Sequence, residues 1–88
     1  METAFGKRLD RVRQASPLVH CISNLVTAND CANIVLAAGA SPIMADAPEE
    51  VREITALSRA LCLSLGTPNP RKADAMFLAG RKAAELGL

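Results

Sequence analysis

The sequence predicts an α/β protein in which three parallel strands alternate with helices. Apolar residues recur at helical spacing in four segments, and three shorter apolar runs lie between them. The first of these runs is apolar on both faces, as expected of a strand that is covered on both sides of a sheet. Regular alternation of strands and helices is typical of parallel strands that are joined by right-handed crossovers.

A first amphipathic helix is predicted over residues 3–15. Its apolar positions recur at helical spacing and are Phe5, Leu9 and Val12. The pattern stops before Pro17, because a proline restricts the backbone of the residue that precedes it. Residues 18–23 then form an apolar run that is too short for a helix, and they are predicted to be the first strand.

The second helix is predicted to begin near residue 28. Thr27 and Asp30 have the spacing of a capping box, in which each side chain accepts a hydrogen bond from the backbone N–H of the other. The face expected to be buried consists of Ala28, Ala32, Val35 and Leu36. Gly39 is expected to end this helix, because glycine adopts the left-handed conformation at little steric cost. Residues 41–45 are then predicted to form the second strand.

The third helix is predicted to begin in a similar way. Asp46 lies three residues before Glu49, and Pro48 falls in the expected first turn, where its missing N–H is no loss. The side expected to be buried comprises Val51, Ile54 and Leu57. The third strand is predicted over residues 60–65, and Gly66 closes it.

The fourth helix is predicted to start at Asn69 and Pro70, an N-cap followed by a first-turn proline, and to end at Gly87. Its buried stripe is predicted to be Ala73, Met76, Phe77 and Ala84. A parallel sheet of three short strands that is covered on both faces is rare as a free-standing unit. Residues 1–88 are therefore expected to form the N-terminal segment of a single, larger α/β domain.

Charge and composition exclude several classes of partner. Ten basic and nine acidic residues leave a net charge of +1, and only two residues are aromatic, so nucleic acid is not an expected partner. The longest purely apolar stretch, residues 34–38, is far shorter than the roughly 20 residues of a membrane span. Residues 1–15 are charged rather than signal-like. The sequence therefore predicts a cytoplasmic protein without a membrane partner.

Neither the cysteines nor the acidic residues predict a metal site. Cys21, Cys31 and Cys62 are odd in number and lack C-x-x-C spacing, which favours reduced, buried thiols over disulfides or a zinc site. Asp46 and Glu49 could face a metal ion, but helix capping explains the same spacing. No metal ligand is predicted.

Ligands of open parallel sheets bind outside the carboxyl ends of the strands. Residues 24–27, 44–46 and 66–69 lie there, and each segment leads into a helix whose first backbone N–H groups can bind a polar ligand. No phosphate-loop motif is present. By pattern alone, Met44 is interpreted as a core residue that fills a gap rather than as a pocket residue. His20 lies within a strand and is predicted to be a structural histidine rather than an acid–base group.

Four short motifs resemble those of one enzyme family. They are HCISN at 20–24, AN at 32–33, GASPIM at 39–44 and LGT at 65–67. From Pro17 to Leu88 the chain closely resembles the N-terminal third of the hydroxyethylthiazole kinases, which belong to the ribokinase-like superfamily. The resemblance implies an incomplete ribokinase-like fold.

The resemblance also implies an activity and a pocket. Enzymes of this family use ATP and Mg²⁺ to phosphorylate the hydroxyl of 4-methyl-5-(2-hydroxyethyl)thiazole in thiamine biosynthesis and salvage, and the thiazole lies at the subunit interfaces of a homotrimer. Met44 matches a substrate contact of the family, and Asn24 and Val26 match its other N-terminal pocket positions. A thioether can close adaptably over a small sulfur heterocycle.

The family's remaining functional residues have no counterpart here. Its ATP-binding residues, anion hole and catalytic cysteine lie beyond the position of Leu88, so no catalytic residue is assigned and the isolated chain is expected to be inactive. Ser64 stands where relatives usually carry asparagine, and Thr27 stands where an apolar residue is common. The alternative is a small, non-catalytic binding or interaction protein that is derived from the kinase scaffold.

Overall fold

A computed structural model describes residues 3–24, 26–64 and 69–88. Within these ranges four helices and three strands alternate along the chain, as the sequence predicts. The helices are α1 (Ala4–Ala15), α2 (Ala28–Ala37), α3 (Val51–Leu57) and α4 (Pro70–Leu86). The strands are β1 (Leu18–Ile22), β2 (Ser41–Met44) and β3 (Ala60–Leu63).

The predicted strands are each slightly longer than the observed ones. β1 ends before Ser23, β2 ends before Ala45, and β3 ends before Ser64. Leu65, which was expected to end the third strand, lies outside the described residues, as does the LGT motif at 65–67.

The three strands form one parallel sheet in the order β2-β1-β3. His20 of β1 pairs with Ile43 of β2 and with Leu61 of β3, so the first strand in the chain is the central one. Because all strands run in the same direction, their carboxyl ends meet at one edge of the sheet.

Alternate residues of β1 face opposite sides of the sheet. His20 and Ile22 face α3 and α4, where Ile22 packs in a buried cluster whose other members are Val51, Ala75, Met76 and Ala79. Cys21 therefore faces the other side, which α2 covers in part. Its register partners on the neighbouring strands, Met44 and Cys62, lie on that same face.

The buried stripe of α4 differs from the predicted one. Met76 is buried as expected, but Ala73, Phe77 and Ala84 are exposed. The observed stripe contains Lys72, Ala75, Met76, Ala79 and Ala83. Met76 belongs to both the predicted and the observed stripe, because both have helical spacing. The observed stripe contains three alanines, whose small side chains allow α4 to pack closely against its neighbours.

The predicted faces of α2 and α3 are also only partly correct. The structure describes all ten residues of α2, and none of them is buried; Leu36 is 57% exposed. In α3, Val51 is buried as predicted and Ile54 is half-buried, but Leu57 is exposed. Thr55 is fully buried instead, because its hydroxyl is a hydrogen-bond partner of the buried His20.

Several of the helix ends follow the predictions. Asn69 caps α4 through a hydrogen bond in which its side-chain oxygen accepts from the Lys72 backbone N–H at 2.8 Å. Gly87 ends α4 with a φ of 73°. Gly39 has a φ of 97°, and a Cβ atom at this position would lie 2.5 Å from Cγ of Arg13. Both the backbone conformation and the close approach of α1 therefore require glycine there.

The predicted caps of α2 and α3 are wrong. The Thr27 side chain makes no capping hydrogen bond, and its backbone has helical torsion angles (φ −103°, ψ −3°) instead of the extended ones of a typical N-cap. Its backbone N–H and its hydroxyl both donate to the Asn24 side chain. Neither Asp46 nor Glu49 caps α3, which follows a turn and begins only at Val51. The two carboxylates pair with basic residues of α4 instead.

None of the helices in the described ranges is long and apolar enough to cross a membrane.

Candidate functional site

A cleft of about 200 Å³ opens at the carboxyl edge of the sheet. Its lining residues come from the ends of β1 and β2, from the segments that follow them, and from the start of α2: Cys21, Ser23, Ala28, Met44 and Asp46. The part of the wall formed by the described residues is mostly apolar and carries one carboxylate, that of Asp46. Such a combination suits a small organic ligand that has a polar substituent.

Met44 lies in the wall of this cleft, as the last residue of β2. Its side chain is 39% exposed, so in this chain it is not enclosed by core residues. Because the strand ends there, the thioether stands at the border between the sheet and the following loop. This position allows direct contact with a ligand in the cleft.

Asn24 and Val26, the other residues predicted to bind substrate, occupy different surroundings. The Asn24 side-chain oxygen accepts hydrogen bonds from the Thr27 backbone N–H and hydroxyl, both at 2.9 Å. Asn24 therefore shapes the loop after β1 and follows the cleft residue Ser23. Val26 is 86% exposed and does not line the cleft. Leu25, between them, lies outside the described residues.

Lys72 is a residue of the site that the sequence reasoning missed. Its ammonium donates a hydrogen bond to the Ser23 carbonyl at 2.5 Å and lies 3.4 Å from a carboxylate oxygen of Asp46. The side chain is 8% exposed, which is unusual for lysine. The sequence signal that indicates burial of Lys72 is its spacing, since it lies one helical turn before the buried Met76 on the same face of α4.

His20 is fully buried on the α3–α4 face of the sheet, opposite the cleft residues Cys21 and Met44, and both of its ring nitrogens have partners. Nε2 donates to the Ala45 carbonyl at 2.7 Å, and Nδ1 lies 2.9 Å from the Thr55 hydroxyl. A carbonyl can only accept, so Nε2 carries the proton, and in the neutral ring Nδ1 accepts from Thr55. These contacts are those of a structural histidine, as the sequence predicts, and they connect β1 with the segment after β2 and with α3.

The three cysteines are free thiols with different exposures. Cys21 is buried as predicted, Cys31 is half-buried, and Cys62 is exposed, contrary to the prediction. Cys62 is exposed because β3 is an edge strand and α2 packs against the other two strands. Burial raises the pKa of the Cys21 thiol, and the neighbouring Cys62 and Cys31 thiols raise it further.

The described residues do not fit a Mg²⁺ site. Across 3–24, 26–64 and 69–88, no group of three or more His, Cys, Asp or Glu side chains could hold a metal ion. Asp46 pairs with Lys72, and Glu49 forms an ion pair with Arg71 at 2.7 Å. A backbone hydrogen bond, followed by the Arg71 contact, lowers the pKa of Glu49.

Comparison with known proteins identifies relatives over nearly the whole chain. The model of the hydroxyethylthiazole kinase family matches residues 9–88. Proteins named hydroxyethylthiazole kinase from Desulfovibrio desulfuricans and Alkaliphilus metalliredigens are 56% and 51% identical to this chain. The matches cover 97% and 94% of this chain, and in each case 30% of the relative.

A solved structure agrees with these sequence matches. The hydroxyethylthiazole kinase structure from Pyrococcus horikoshii superposes with a TM-score of 0.87 at 44% identity. The alignment covers 92% of this chain and 32% of that protein. This chain thus spans about three tenths of the length of the relatives that it matches. The match over residues 9–88 shows that the chain belongs to the hydroxyethylthiazole kinase family.

Proposed function

We propose that this chain supplies part of the substrate pocket of a kinase that transfers phosphate from ATP to the hydroxyl of 4-methyl-5-(2-hydroxyethyl)thiazole. The observation that supports this most strongly is the cleft at the carboxyl edge of the sheet, with Met44 in its wall. Two of the three positions that match the family's pocket, Met44 and Asn24, lie in or next to the segments that form this cleft.

The chemistry of the cleft suits a thiazole alcohol. Met44, Cys21 and Ala28 offer apolar and polarizable surface for a flat sulfur heterocycle. Asp46 and Ser23 supply polar groups near the same wall. A ligand that combines an apolar ring with one hydroxyl can use both kinds of contact.

Val26 is proposed as a substrate contact that needs a further covering surface. It is 86% exposed and projects from the loop after β1, so this chain alone does not enclose a ligand against it. In a homotrimer with the thiazole at the subunit interfaces, as the family resemblance implies, the neighbouring subunit would cover Val26. Its exposure is consistent with this arrangement.

ATP and Mg²⁺ are proposed to be bound mainly outside this segment. The described residues offer no metal-binding group, and the carboxylates of Asp46 and Glu49 are paired with Lys72 and Arg71. The relatives are more than three times as long as the matched segment, so their remaining residues can supply the phosphate and metal contacts. No residue of the described ranges is assigned a catalytic role.

The β3–α4 surface supports the proposal that residues 1–88 form the N-terminal part of a single larger domain. A groove of about 530 Å³ there has an almost wholly apolar lining of Leu63, Ala73, Met76, Phe77, Gly80, Arg81 and Ala84. Phe77 is 64% exposed. An apolar surface of this kind next to a sheet edge is typical of a contact with another segment of polypeptide.

The kinase of which this chain is proposed to be a part is a metabolic enzyme, and we propose that it is cytoplasmic.

The same groove favours one alternative. A non-catalytic protein derived from the kinase scaffold could use the β3–α4 surface to bind a partner. This alternative does not require a ligand in the cleft, so substitutions of Met44 would leave the function of such a protein unchanged. The kinase proposal requires the cleft and treats the groove as an internal packing surface.

A chimeric enzyme tests the proposal. In it, this chain replaces the matching segment of the Desulfovibrio desulfuricans kinase, which is 56% identical. We expect ATP-dependent phosphorylation of the thiazole alcohol at a rate within about tenfold of the parent enzyme, a difference of about 1.4 kcal/mol in barrier height. The 88-residue chain alone is expected to show no turnover. A folded chimera without activity, beside an active parent, would contradict the proposal and favour the alternative.

A further inference from the structure

The buried ammonium of Lys72 joins the segments that follow all three strands. Ser23, whose carbonyl accepts its hydrogen bond, comes directly after β1, and Asp46 lies two residues after β2. Lys72 itself belongs to the first turn of α4, which follows β3. Its backbone N–H also donates to the Asn69 cap, which fixes the start of the helix from which the side chain extends.

This burial has an energetic cost that the contacts offset. An ammonium group that leaves water is strongly destabilised unless it is paired and hydrogen-bonded. Lys72 has a short hydrogen bond to Ser23 and an ion pair with Asp46. Apolar residues of similar volume often replace buried charges with little loss of stability, so stability alone does not account for a lysine at this position.

The contacts place Lys72 behind the cleft. Ser23 and Asp46 both line the cleft, whereas Lys72 does not. The loop that begins at Ser23 carries Asn24, and Asp46 follows Met44 by two residues. Holding Ser23 and Asp46 together therefore fixes the distance between two segments that carry proposed substrate contacts.

The ammonium also balances the one charge that the described residues contribute to the cleft lining. Asp46 is half-exposed, and Lys72 is its ion-pair partner. Without that partner the carboxylate would draw water into the cleft more strongly, and water would compete with an uncharged ring for the same surface. A neutralised carboxylate can still accept a hydrogen bond from a hydroxyl.

We propose that Lys72 is a positioning residue for the substrate cleft, which it maintains by holding the Ser23 carbonyl and the Asp46 carboxylate. This inference rests on the proposed function of the cleft. Lys72 acts through these two residues and does not contact the ligand.

Steady-state kinetics of the chimeric enzyme test this role. Lys72→Met keeps the length of the side chain and removes its charge and donors. We expect the KM for the thiazole alcohol to rise about tenfold, with kcat and the KM for ATP changed less than about twofold, because positioning for binding is lost while the reacting groups are retained. Lys72→Arg retains a charged donor and should recover most of the affinity for the thiazole alcohol.

Lys82→Met is the matched control. Lys82 lies on the same helix and pairs with Glu85 at 3.7 Å, away from the carboxyl edge of the sheet. This variant should leave the KM for the thiazole alcohol unchanged. An unchanged KM in Lys72→Met, or an equal rise in Lys72→Met and Lys82→Met, would overturn the inference.

Asp46→Asn provides a second variant that should fold, because Asp46 is half-exposed. It removes the ion pair but keeps the shape of the side chain and the Lys72–Ser23 hydrogen bond. We expect a smaller rise in KM, about threefold. In the double variant with Lys72→Met, the free-energy effects of the two substitutions on substrate binding should be less than additive. Full additivity would show that the two residues act independently and would overturn the inference.

Amide hydrogen exchange separates this inference from the proposed function. If the unsubstituted chimera is inactive, the proposed function fails, and the positioning role is then decided on the 88-residue chain itself. The Thr27 amide reports on the loop after β1, because it donates to Asn24. Lys72→Met should increase its exchange rate at least about threefold over the Lys82→Met control, as expected for loss of a contact that holds the loop. Equal exchange rates in the two variants would overturn the positioning role.

Discussion

The two faces of the sheet differ in how completely this chain covers them. On the face of α3 and α4, Ile22 and His20 are fully buried, and both ring nitrogens of His20 have partners. On the opposite face, α2 has no buried residue, and both Met44 and Cys62 are exposed. Alternate residues of the same strands thus form a buried core on one face of the sheet. On the other face they form a surface that is open to ligands or to further polypeptide.

The largest expected contrast between the faces concerns stability. Ile22→Ala should lower the free energy of unfolding by about 2–5 kcal/mol, because it leaves a cavity in the buried cluster. Leu36→Ala, on the exposed side of α2, should change it by less than about 0.5 kcal/mol. Urea denaturation followed by circular dichroism measures both. Similar losses for the two variants would show that the α2 face is as fully packed as the other.

Met44→Ala tests whether the open face of the sheet binds the substrate. In the chimeric enzyme it should weaken thiazole binding by about 1–3 kcal/mol and leave ATP affinity nearly unchanged, because an apolar contact with the ring is removed. Met76→Ala, in the buried cluster, is the control and should instead cost about 2–5 kcal/mol of stability with thiazole affinity per folded molecule preserved. Calorimetric titration and thermal unfolding separate the two patterns. Unchanged thiazole affinity in a well-folded Met44→Ala enzyme would remove Met44 from the site.

Thr55→Val tests how much a buried hydrogen bond on the α3–α4 face contributes to the free energy of unfolding. The substitution keeps the shape of the buried side chain but leaves Nδ1 of His20 without its partner, which should cost about 1–3 kcal/mol of stability. Thr55→Ser retains the hydroxyl and should lose less. The difference between the two variants in urea denaturation gives the cost of the unpaired nitrogen, and no difference would show that this hydrogen bond contributes little.

The smallest effect is a pH dependence that arises at Cys21, a buried thiol on the α2 face of the sheet. Burial raises the pKa of Cys21 above its ordinary value of 9.0. The unfolded chain therefore loses this proton first as the pH rises, and stability should fall between the ordinary value and the higher folded-state value. Cys21→Ala should lack this part of the alkaline loss. Stability curves of the two proteins that run parallel above pH 9 would contradict the prediction.

The order of the elements could be predicted because it depends on local periodicity and on turn residues. Gly39, Asn69 and Gly87 mark helix ends correctly, since each acts through its own backbone or its nearest neighbours. The predicted capping box at Thr27 is wrong because the Asn24 side chain accepts from the Thr27 backbone N–H that was assigned to Asp30. Sequence spacing permits both arrangements and does not rank them.

The site was predictable only in part, for a different reason. Met44 was predicted to contact substrate because it matches a pocket position of the family, whereas its sequence pattern alone favours a core residue. The role of Lys72 depends on the Ser23 carbonyl, which lies 49 residues earlier in the chain. A backbone acceptor has no sequence signature, so this contact becomes visible only when the fold brings β1 and α4 together.

The position of β1 at the centre of the sheet bears on the order in which the chain folds. Both partners of β1 follow it in the sequence, since His20 pairs with Ile43 of β2 and with Leu61 of β3. Closing the longer loop to β3 costs roughly 0.5 kcal/mol more conformational entropy than closing the shorter loop to β2. The β1–α2–β2 unit can therefore assemble before β3 joins the sheet, and the core between the sheet and α4 closes last.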